Sequence, residues 1–82
     1  MITVMIHCIM LEKEYEFCLD SSMPVGELSE EIAEVIAQKE QLTIGGDPSR
    51  FMLFTKEKQC LLRREDTLAE RGIKNGDILY FG

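Results

Sequence analysis

The first twenty residues contain two segments whose hydrophobic pattern is that of β-strands. Residues 2–8 are β-branched and apolar, residues 14–20 alternate, and only a short connection separates the two segments. Such a connection predicts a hairpin of antiparallel strands. In the first strand, alternation assigns four residues to the inner face: Ile2, Val4, Ile6 and Cys8. Its outer face then carries Thr3, Met5 and His7. The second strand divides likewise, with Tyr15, Phe17 and Leu19 on one side and Glu14, Glu16 and Cys18 on the other.

The period changes to that of an α-helix after residue 22. Between residues 23 and 38 the apolar positions recur at helical spacing: Val25, Leu28, Ile32, Val35 and Ile36. Ser21 and Ser22 precede this segment, and Pro24 suits a first helical turn. The opposite side of the helix carries four acidic residues: Glu27, Glu30, Glu31 and Glu34. A solvated helix face explains these glutamates, and a docking surface for a basic partner is the alternative.

A loop is predicted for residues 39–50, which contain the Gly-Gly and Asp-Pro signals of irregular structure. Leu42 and Ile44 are expected to lie under the helix. We interpret Gly45-Gly46 as a turn and not as a processing site, because cleavage there would remove the strands that complete the core.

Three further strands follow the loop, the last of them after a turn. The predicted segments are a third strand at 50–55, a turn at 56–59, a fourth strand at 60–63, one helical turn at 67–73 and a fifth strand at 77–81. Thr67 and Glu70 form a Thr-x-x-Glu capping box at the helical turn. Asn75-Gly76 is a turn dipeptide that leads into the fifth strand. One helix can cover one face of a sheet, so the sequence predicts a single α+β domain over residues 1–82.

The uncovered face of this sheet is predicted to be apolar. In the fifth strand, alternation places Leu79 and Phe81 under the helix and Ile78 and Tyr80 on the outer face. The third strand divides in the same way, with Phe51 and Leu53 inward and Met52 and Phe54 outward. An exposed apolar patch of a few hundred Å² usually marks a protein-binding site.

Composition and charge exclude several other functions. The net charge of −6 disfavours binding to nucleic acid and to anionic membranes, both of which need clustered Lys and Arg. Cys8, Cys18 and Cys60 lack the spacing of a zinc site, a disulfide framework or an iron–sulfur cluster. No signal peptide or membrane span is predicted, and no cofactor. These features predict a soluble, cytoplasmic protein with reduced thiols.

No catalytic motif is found in the sequence. His7 is the only histidine, and no nucleophile stands near a base at a motif spacing. There is no Gly-rich phosphate loop. On the outer sheet face His7 is expected near Glu14 or Glu16, as a structural cross-strand pair. The sequence therefore predicts a protein that is not an enzyme.

The order of strands, helix and final strand resembles the β-grasp fold of ubiquitin. Three short motifs, MPVGEL at the helix start, FMLFTK on the third strand and IKNGDIL at the end, are similar to those of the small bacterial YukD/EsaB family. That family is associated with the type VII secretion system of Gram-positive bacteria. The resemblance implies a mixed five-stranded sheet and an accessory role at the cytoplasmic side of the secretion machinery.

The resemblance also implies a binding site. In a β-grasp sheet the fifth strand lies between the first and third, which brings the outward residues of these strands together. Ubiquitin engages its receptors through this face, helped by a leucine in the first hairpin loop, whose place is taken here by Met10 and Leu11. The predicted protein-binding residues are Met5, His7, Met10, Leu11, Met52, Phe54, Ile78 and Tyr80. The expected partner is a protein of the secretion machinery, and a second copy of the chain is another candidate.

An alternative function belongs to other β-grasp proteins. Ubiquitin and the sulfur carriers of thiamine and molybdopterin synthesis react through a C-terminal diglycine that projects beyond the last strand. In this sequence Gly82 directly follows Phe81, a residue expected in the sheet. This ending disfavours a role as a sulfur carrier or protein modifier, which is the alternative to the binding function.

Overall fold

The computed structural model describes residues 1–42, 51–55 and 60–82 of the chain. The predictions for Ile44, for the Gly45-Gly46 turn and for the turn at 56–59 lie outside the described residues. The secondary-structure elements are β1 (Ile2–Cys8), β2 (Lys13–Leu19), α1 (Val25–Glu40), β3 (Leu53–Thr55), β4 (Cys60–Leu61) and β5 (Ile78–Phe81).

The strands form one mixed sheet in the order β2-β1-β5-β3-β4. β1 and β5 are parallel neighbours, whereas the β1–β2, β3–β5 and β3–β4 pairs are antiparallel. Parallel strands need a long connection, and α1 lies within the segment that links β1 and β2 to the later strands. The predicted α+β architecture, with the fifth strand between the first and third, is confirmed.

The core lies between the sheet and α1, where the inward residues predicted from alternation are found. Val4, Ile6 and Cys8 are buried in β1, and Leu79 and Phe81 in β5. The helix contributes Leu28, Ile32 and Ile36, together with Ser29 and Ala33, which the apolar pattern did not include. Ile2 and Val35 are half-buried, so both lie at the margin of the core.

The helix begins and ends by contacts that its own sequence does not predict. Pro24 precedes the first helical residue and makes no side-chain capping bond. The N–H of Val25 donates to the carbonyl of Asp66 (2.7 Å), and the N–H of Gly26 donates to that of Arg64 (3.0 Å). A Cβ at Gly26 would lie 2.9 Å from Arg64 Nη2, so a side chain there would displace the end of the flexible, half-exposed Arg64 side chain. The first amides of the helix, which have no partner within it, are thus satisfied by a segment distant in sequence.

The predictions at the start of the loop at 39–50 need correction. The helix continues two residues further than predicted, to Glu40, and ends where Gln41 adopts a left-handed conformation (φ 54°). Leu42 is covered only in part: it lines a small apolar cavity with Ile36 and Ala37 of α1, but 48% of its surface is exposed. The strands that follow are shorter than predicted: Phe51 precedes β3, where its ring stacks on that of Phe81 with centroids 5.1 Å apart.

The turns that precede β5 have the predicted chemistry. The Glu70 N–H donates to Thr67 Oγ1 (3.1 Å), and the Arg71 N–H donates to the Thr67 carbonyl (3.2 Å), which closes one helical turn. Gly76 has a φ of 87°, a value that L-residues rarely adopt. Its N–H donates to the Thr3 carbonyl, so the turn is also fixed to β1.

Candidate functional site

A row of side chains crosses the whole sheet on the face opposite to α1. The register pairs His7 with Tyr80, Tyr80 with Phe54 and Phe54 with Leu61, while Glu14 lies opposite His7 on β2. Directly paired residues of a sheet project from the same face. The row therefore holds one residue from each of the five strands, with Tyr80 at its centre.

Aromatic contacts hold the centre of this row in place. The rings of Phe54 and Tyr80 are stacked, with centroids 5.7 Å apart and planes inclined by 20°. On the other side of Tyr80, the His7 ring lies at 5.3 Å in a tilted arrangement. All three side chains are half-buried. Each ring is thus restrained by a neighbour but still presents part of its surface to solvent.

Three aliphatic side chains surround the aromatic centre and are more exposed. Ile78 pairs with Met5 of β1 and is 47% exposed, and Leu61 is 51% exposed. Met52, whose backbone pairs with that of Gly82, is 49% exposed. We use the name outer face for the apolar residues of this surface: Met5, His7, Met52, Phe54, Leu61, Ile78 and Tyr80.

Six of the eight predicted binding residues belong to the outer face. The other two, Met10 and Leu11 in the β1–β2 loop, line a small apolar cavity with Ala37 and Phe81 on the helix side of the sheet. Met10 is 63% exposed, whereas Leu11 is half-buried and packs against the core. The structure thus separates the hairpin loop from the aromatic row.

Sequence reasoning missed Leu61. Leu61 and Leu62 are adjacent and both apolar, so alternation alone does not show which of them points outward. The signal lay in the pairing: once Phe54 is assigned to the outer face, its antiparallel partner Leu61 must share that face. Leu62, the next residue, is buried.

Among residues 1–42, 51–55 and 60–82, the charged groups lie around the outer face and not within it. Glu14 and Glu16 of β2 are exposed along one margin, and the four glutamates of α1 are exposed on the opposite side of the molecule. Glu30 approaches Arg64 Nη2 (3.9 Å), so the acidic helix face is partly neutralised at one side. The centre of the outer face is therefore apolar and its β2 margin is acidic.

A separate polar cluster connects the end of α1 to β2. The Tyr15 hydroxyl donates to Glu40 Oε1 (2.6 Å), and Lys13 Nζ donates to both oxygens of the same carboxylate (3.1 and 3.0 Å). Burial and then the Glu40 hydrogen bond raise the pKa of Tyr15 to about 12. The bonds from Tyr15 and Lys13 lower the pKa of Glu40. This cluster lies on the helix side, where it joins the two layers.

The remaining chemistry-bearing groups are dispersed. Cys8 is buried in the core and Cys18 is exposed on β2. Across residues 1–42, 51–55 and 60–82, no three His, Cys, Asp or Glu side chains come together as a metal-binding group. In the same residues there is no helix long and apolar enough to cross a membrane.

The sheet order, the crossing helix and the uncovered apolar face together define a ubiquitin-like domain. Over residues 1–81 the chain matches the family model described as "WXG100 protein secretion system (Wss), protein YukD", and it belongs to this family. The resemblance stated from the three short motifs is therefore confirmed. A search of curated proteins found no match.

Solved structures share the fold over the whole chain. A designed protein based on human erythrocytic ubiquitin is 27% identical, with a TM-score of 0.73 over 100% of this chain and 90% of that one. The EccD5 ubiquitin-like domain from Mycobacterium xenopi is 19% identical (TM-score 0.76; 99% and 91% covered). A ubiquitin-like domain of an Arabidopsis thaliana protein is 18% identical (TM-score 0.72; 99% and 74% covered).

Proposed function

We propose that this protein is a non-catalytic interaction module of a type VII secretion system, and that it binds a protein partner through the outer face. The family supplies the association with secretion. The observation that carries the proposal is the row His7–Tyr80–Phe54–Leu61, which extends across the sheet on the face without a helix. The partner is a component of the secretion machinery, and the contact takes place in the cytoplasm.

The composition of the outer face supports a binding role. Aromatic and methionine side chains contribute much of the energy of protein interfaces, and here Tyr80 and Phe54 lie at the centre. Exposed aliphatic groups surround them, with Ile78 and Leu61 each about half exposed. The ring contacts of Tyr80 restrain its side chain before binding, which lowers the entropy lost on association.

The size of the face indicates the strength of the contact. Five strands at a spacing of about 4.8 Å give a sheet roughly 20 Å wide, and its longest strands, of seven residues, are roughly 24 Å long at about 3.4 Å per residue. The face therefore covers at most roughly 480 Å², which is less than the roughly 800 Å² per partner that a stable complex usually buries. We therefore expect a transient contact with a single domain or segment of the machinery.

Co-purification from the host tests the proposal. The wild-type protein, bearing an affinity tag, is expected to retain a component of the secretion system from host lysate. The variant Tyr80→Glu, Phe54→Glu places charge in a surface that must lose water on binding, so retention should fall at least about tenfold. Because both rings are half-buried, a second variant, Ile78→Asp, changes a more exposed residue of the same face.

The control for this experiment is the variant Glu30→Lys, Glu34→Lys, which alters the exposed acidic side of α1. Circular dichroism verifies that each variant is folded. Loss of retention with the outer-face variants alone supports the proposal. Loss with the helix variant alone would show that the acidic face of α1 is the docking surface, as the alternative from the sequence holds.

A further inference from the structure

The outer edge of β2 has no partner strand in the part of the chain that the structure describes. β2 is the first strand in the sheet order, it contains seven residues, and no strand among the described residues pairs with its second side. At about 3.4 Å per residue it offers an edge of roughly 24 Å. An edge strand of this length presents unpaired N–H and C=O groups to which another strand can bind.

The hydrogen bonds of β1 show which residues of β2 face this edge. The N–H groups of Met5 and Ile9 donate towards β5, to the carbonyls of Asp77 and Phe81. The backbone N–H groups of odd-numbered residues in β1 thus point towards β5. The even-numbered residues of β1 therefore direct their backbone groups to β2 and form the hydrogen-bonded pairs with it. The register makes these pairs Ile2 with Leu19, Val4 with Phe17, Ile6 with Tyr15, and Cys8 with Lys13.

It follows that the alternate residues of β2 direct their backbone groups outward. In an antiparallel pair, the residues between hydrogen-bonded pairs point both N–H and C=O away from the partner. These residues are Glu14, Glu16 and Cys18, and all three have exposed side chains. An added strand would therefore bond to three alternate residues of β2, all of which are accessible to it.

The side chains along the edge differ between the two faces of the sheet. Towards the outer face the edge is lined by Glu14 and Glu16, which are acidic. Towards the helix side it is lined by Phe17, which is half-buried against the core. The Lys39 ammonium lies 5.7 Å from the centroid of the Tyr15 ring, so the end of α1 lies beside β2 on this side.

We propose that the β2 edge binds an extended segment of a partner protein by strand addition, and that basic and apolar residues alternate in this segment. Residues opposite Glu14 and Glu16 share their face of the sheet, where opposite charge is favourable. The intervening residues lie on the helix side, where apolar side chains contact Phe17. Strand addition of this kind takes affinity from main-chain bonds and specificity from alternate side chains.

The same charges disfavour a second copy of the chain as the occupant. Antiparallel pairing of two β2 edges around Glu16 would place the two Glu16 side chains directly opposite each other. Like charges in directly opposed positions destabilise a strand pair. The edge therefore selects a basic strand over its own copy, and this inference does not depend on binding at the outer face.

The test uses a capped seven-residue peptide in which Lys alternates with Val, with a control peptide in which Glu replaces each Lys. Hydrogen exchange followed by NMR reports on the backbone. On addition of the Lys peptide, exchange should slow at the amides of Glu14, Glu16 and Cys18. The amides of Tyr15 and Phe17, already bonded to β1, should change little. The Glu peptide should produce no protection.

Variants separate backbone pairing from charge. Cys18→Pro removes one outward N–H without affecting the bonds to β1, so it should weaken binding about tenfold. Cys18→Ser keeps the N–H and should bind as the wild type does. Glu14→Lys, Glu16→Lys reverses the charge and should lower affinity for the Lys peptide at least about tenfold.

The outer-face variant Tyr80→Glu, Phe54→Glu distinguishes this site from the proposed functional face. Unchanged peptide affinity in that variant supports strand addition. Loss of affinity there, or peptide-induced shifts at Tyr80 without protection at Glu16, would overturn the inference. Absence of amide protection at millimolar peptide would overturn it as well.

Discussion

Leu79 and Ile78 are neighbours in β5 that lie in opposite environments. Leu79 has no exposed surface and Ile78 is 47% exposed. We expect Leu79→Ala to lower the free energy of unfolding by about 2–5 kcal/mol, because it leaves a cavity in the core. Ile78→Ala should cost less than about 1 kcal/mol. Urea denaturation measures both, and a larger loss for Ile78→Ala would show that the faces of β5 are inverted.

The carboxylate of Glu40 gives the stability a dependence on acid. Tyr15 and Lys13 lower the pKa of Glu40 in the folded state. The ionised carboxylate therefore adds to the free energy of unfolding above its ordinary pKa of 4.5, and this stabilisation is lost as the pH falls through the folded pKa. Glu40→Gln should be less stable than the wild type at pH 7, and the difference should shrink below pH 4.5. Thermal denaturation across this range is the measurement. A difference that stays constant with pH would mean that the bonds to Glu40 do not form in solution.

Tyr15 gives a corresponding effect in alkali. Its pKa is raised from 10.0 to about 12 in the folded state, so folding favours the neutral hydroxyl. The stabilisation of the folded state by the neutral Tyr15 hydroxyl is complete below pH 10 and is lost as the pH rises towards 12. We expect the stability difference between the wild type and Tyr15→Phe to decrease above pH 10, as measured by urea denaturation. An increase in this range would contradict the assigned direction.

The turn before β5 couples two elements through a single glycine. The Gly76 N–H donates to the Thr3 carbonyl. In the other direction, the Thr3 N–H donates to Asn75 Oδ1. A Cβ at Gly76 would have no neighbour within 4 Å, so the cost of Gly76→Ala comes from its φ of 87° alone. We expect a loss of about 1–2 kcal/mol in thermal denaturation. Asn tolerates a positive φ better than Ala, so Gly76→Asn should lower the stability less than Gly76→Ala. Equal losses of stability in the two variants would argue for a steric cause.

Elements whose apolar residues recur at a regular spacing were predicted well. Features that depend on tertiary contacts were not. β1, β2, β5 and the buried stripe of α1 follow from alternation and helical spacing, because each has one buried face. The helix start depends on bonds from Val25 to Asp66 and from Gly26 to Arg64, which no local signal contains. Leu61 of β4 is followed by another leucine, Leu62, and no polar residue between them marks the faces, and for this reason Leu61 was missed.

In the part of the chain that the structure describes, α1 packs on one face of the five-stranded sheet, and this arrangement creates both proposed surfaces. No described helix or strand covers the outer face, and β2 is the end strand of the described sheet, so its second edge has no described partner strand. Periodicity predicted which residues face outward, but the order of the strands came from the resemblance to ubiquitin-like proteins. Alternation within a strand contains no information on which strand lies beside it.

The central claim is that the outer face contacts the secretion machinery, and site-specific photo-crosslinking in the host tests it most directly. A photoreactive phenylalanine derivative at position 80 retains an aromatic ring at the centre of the face. The same residue at position 34 samples the acidic side of α1, and at position 18 it samples the β2 edge. We expect crosslinks to a component of the secretion system from position 80 and none from position 34. Crosslinks from position 34 without any from position 80 would contradict the account.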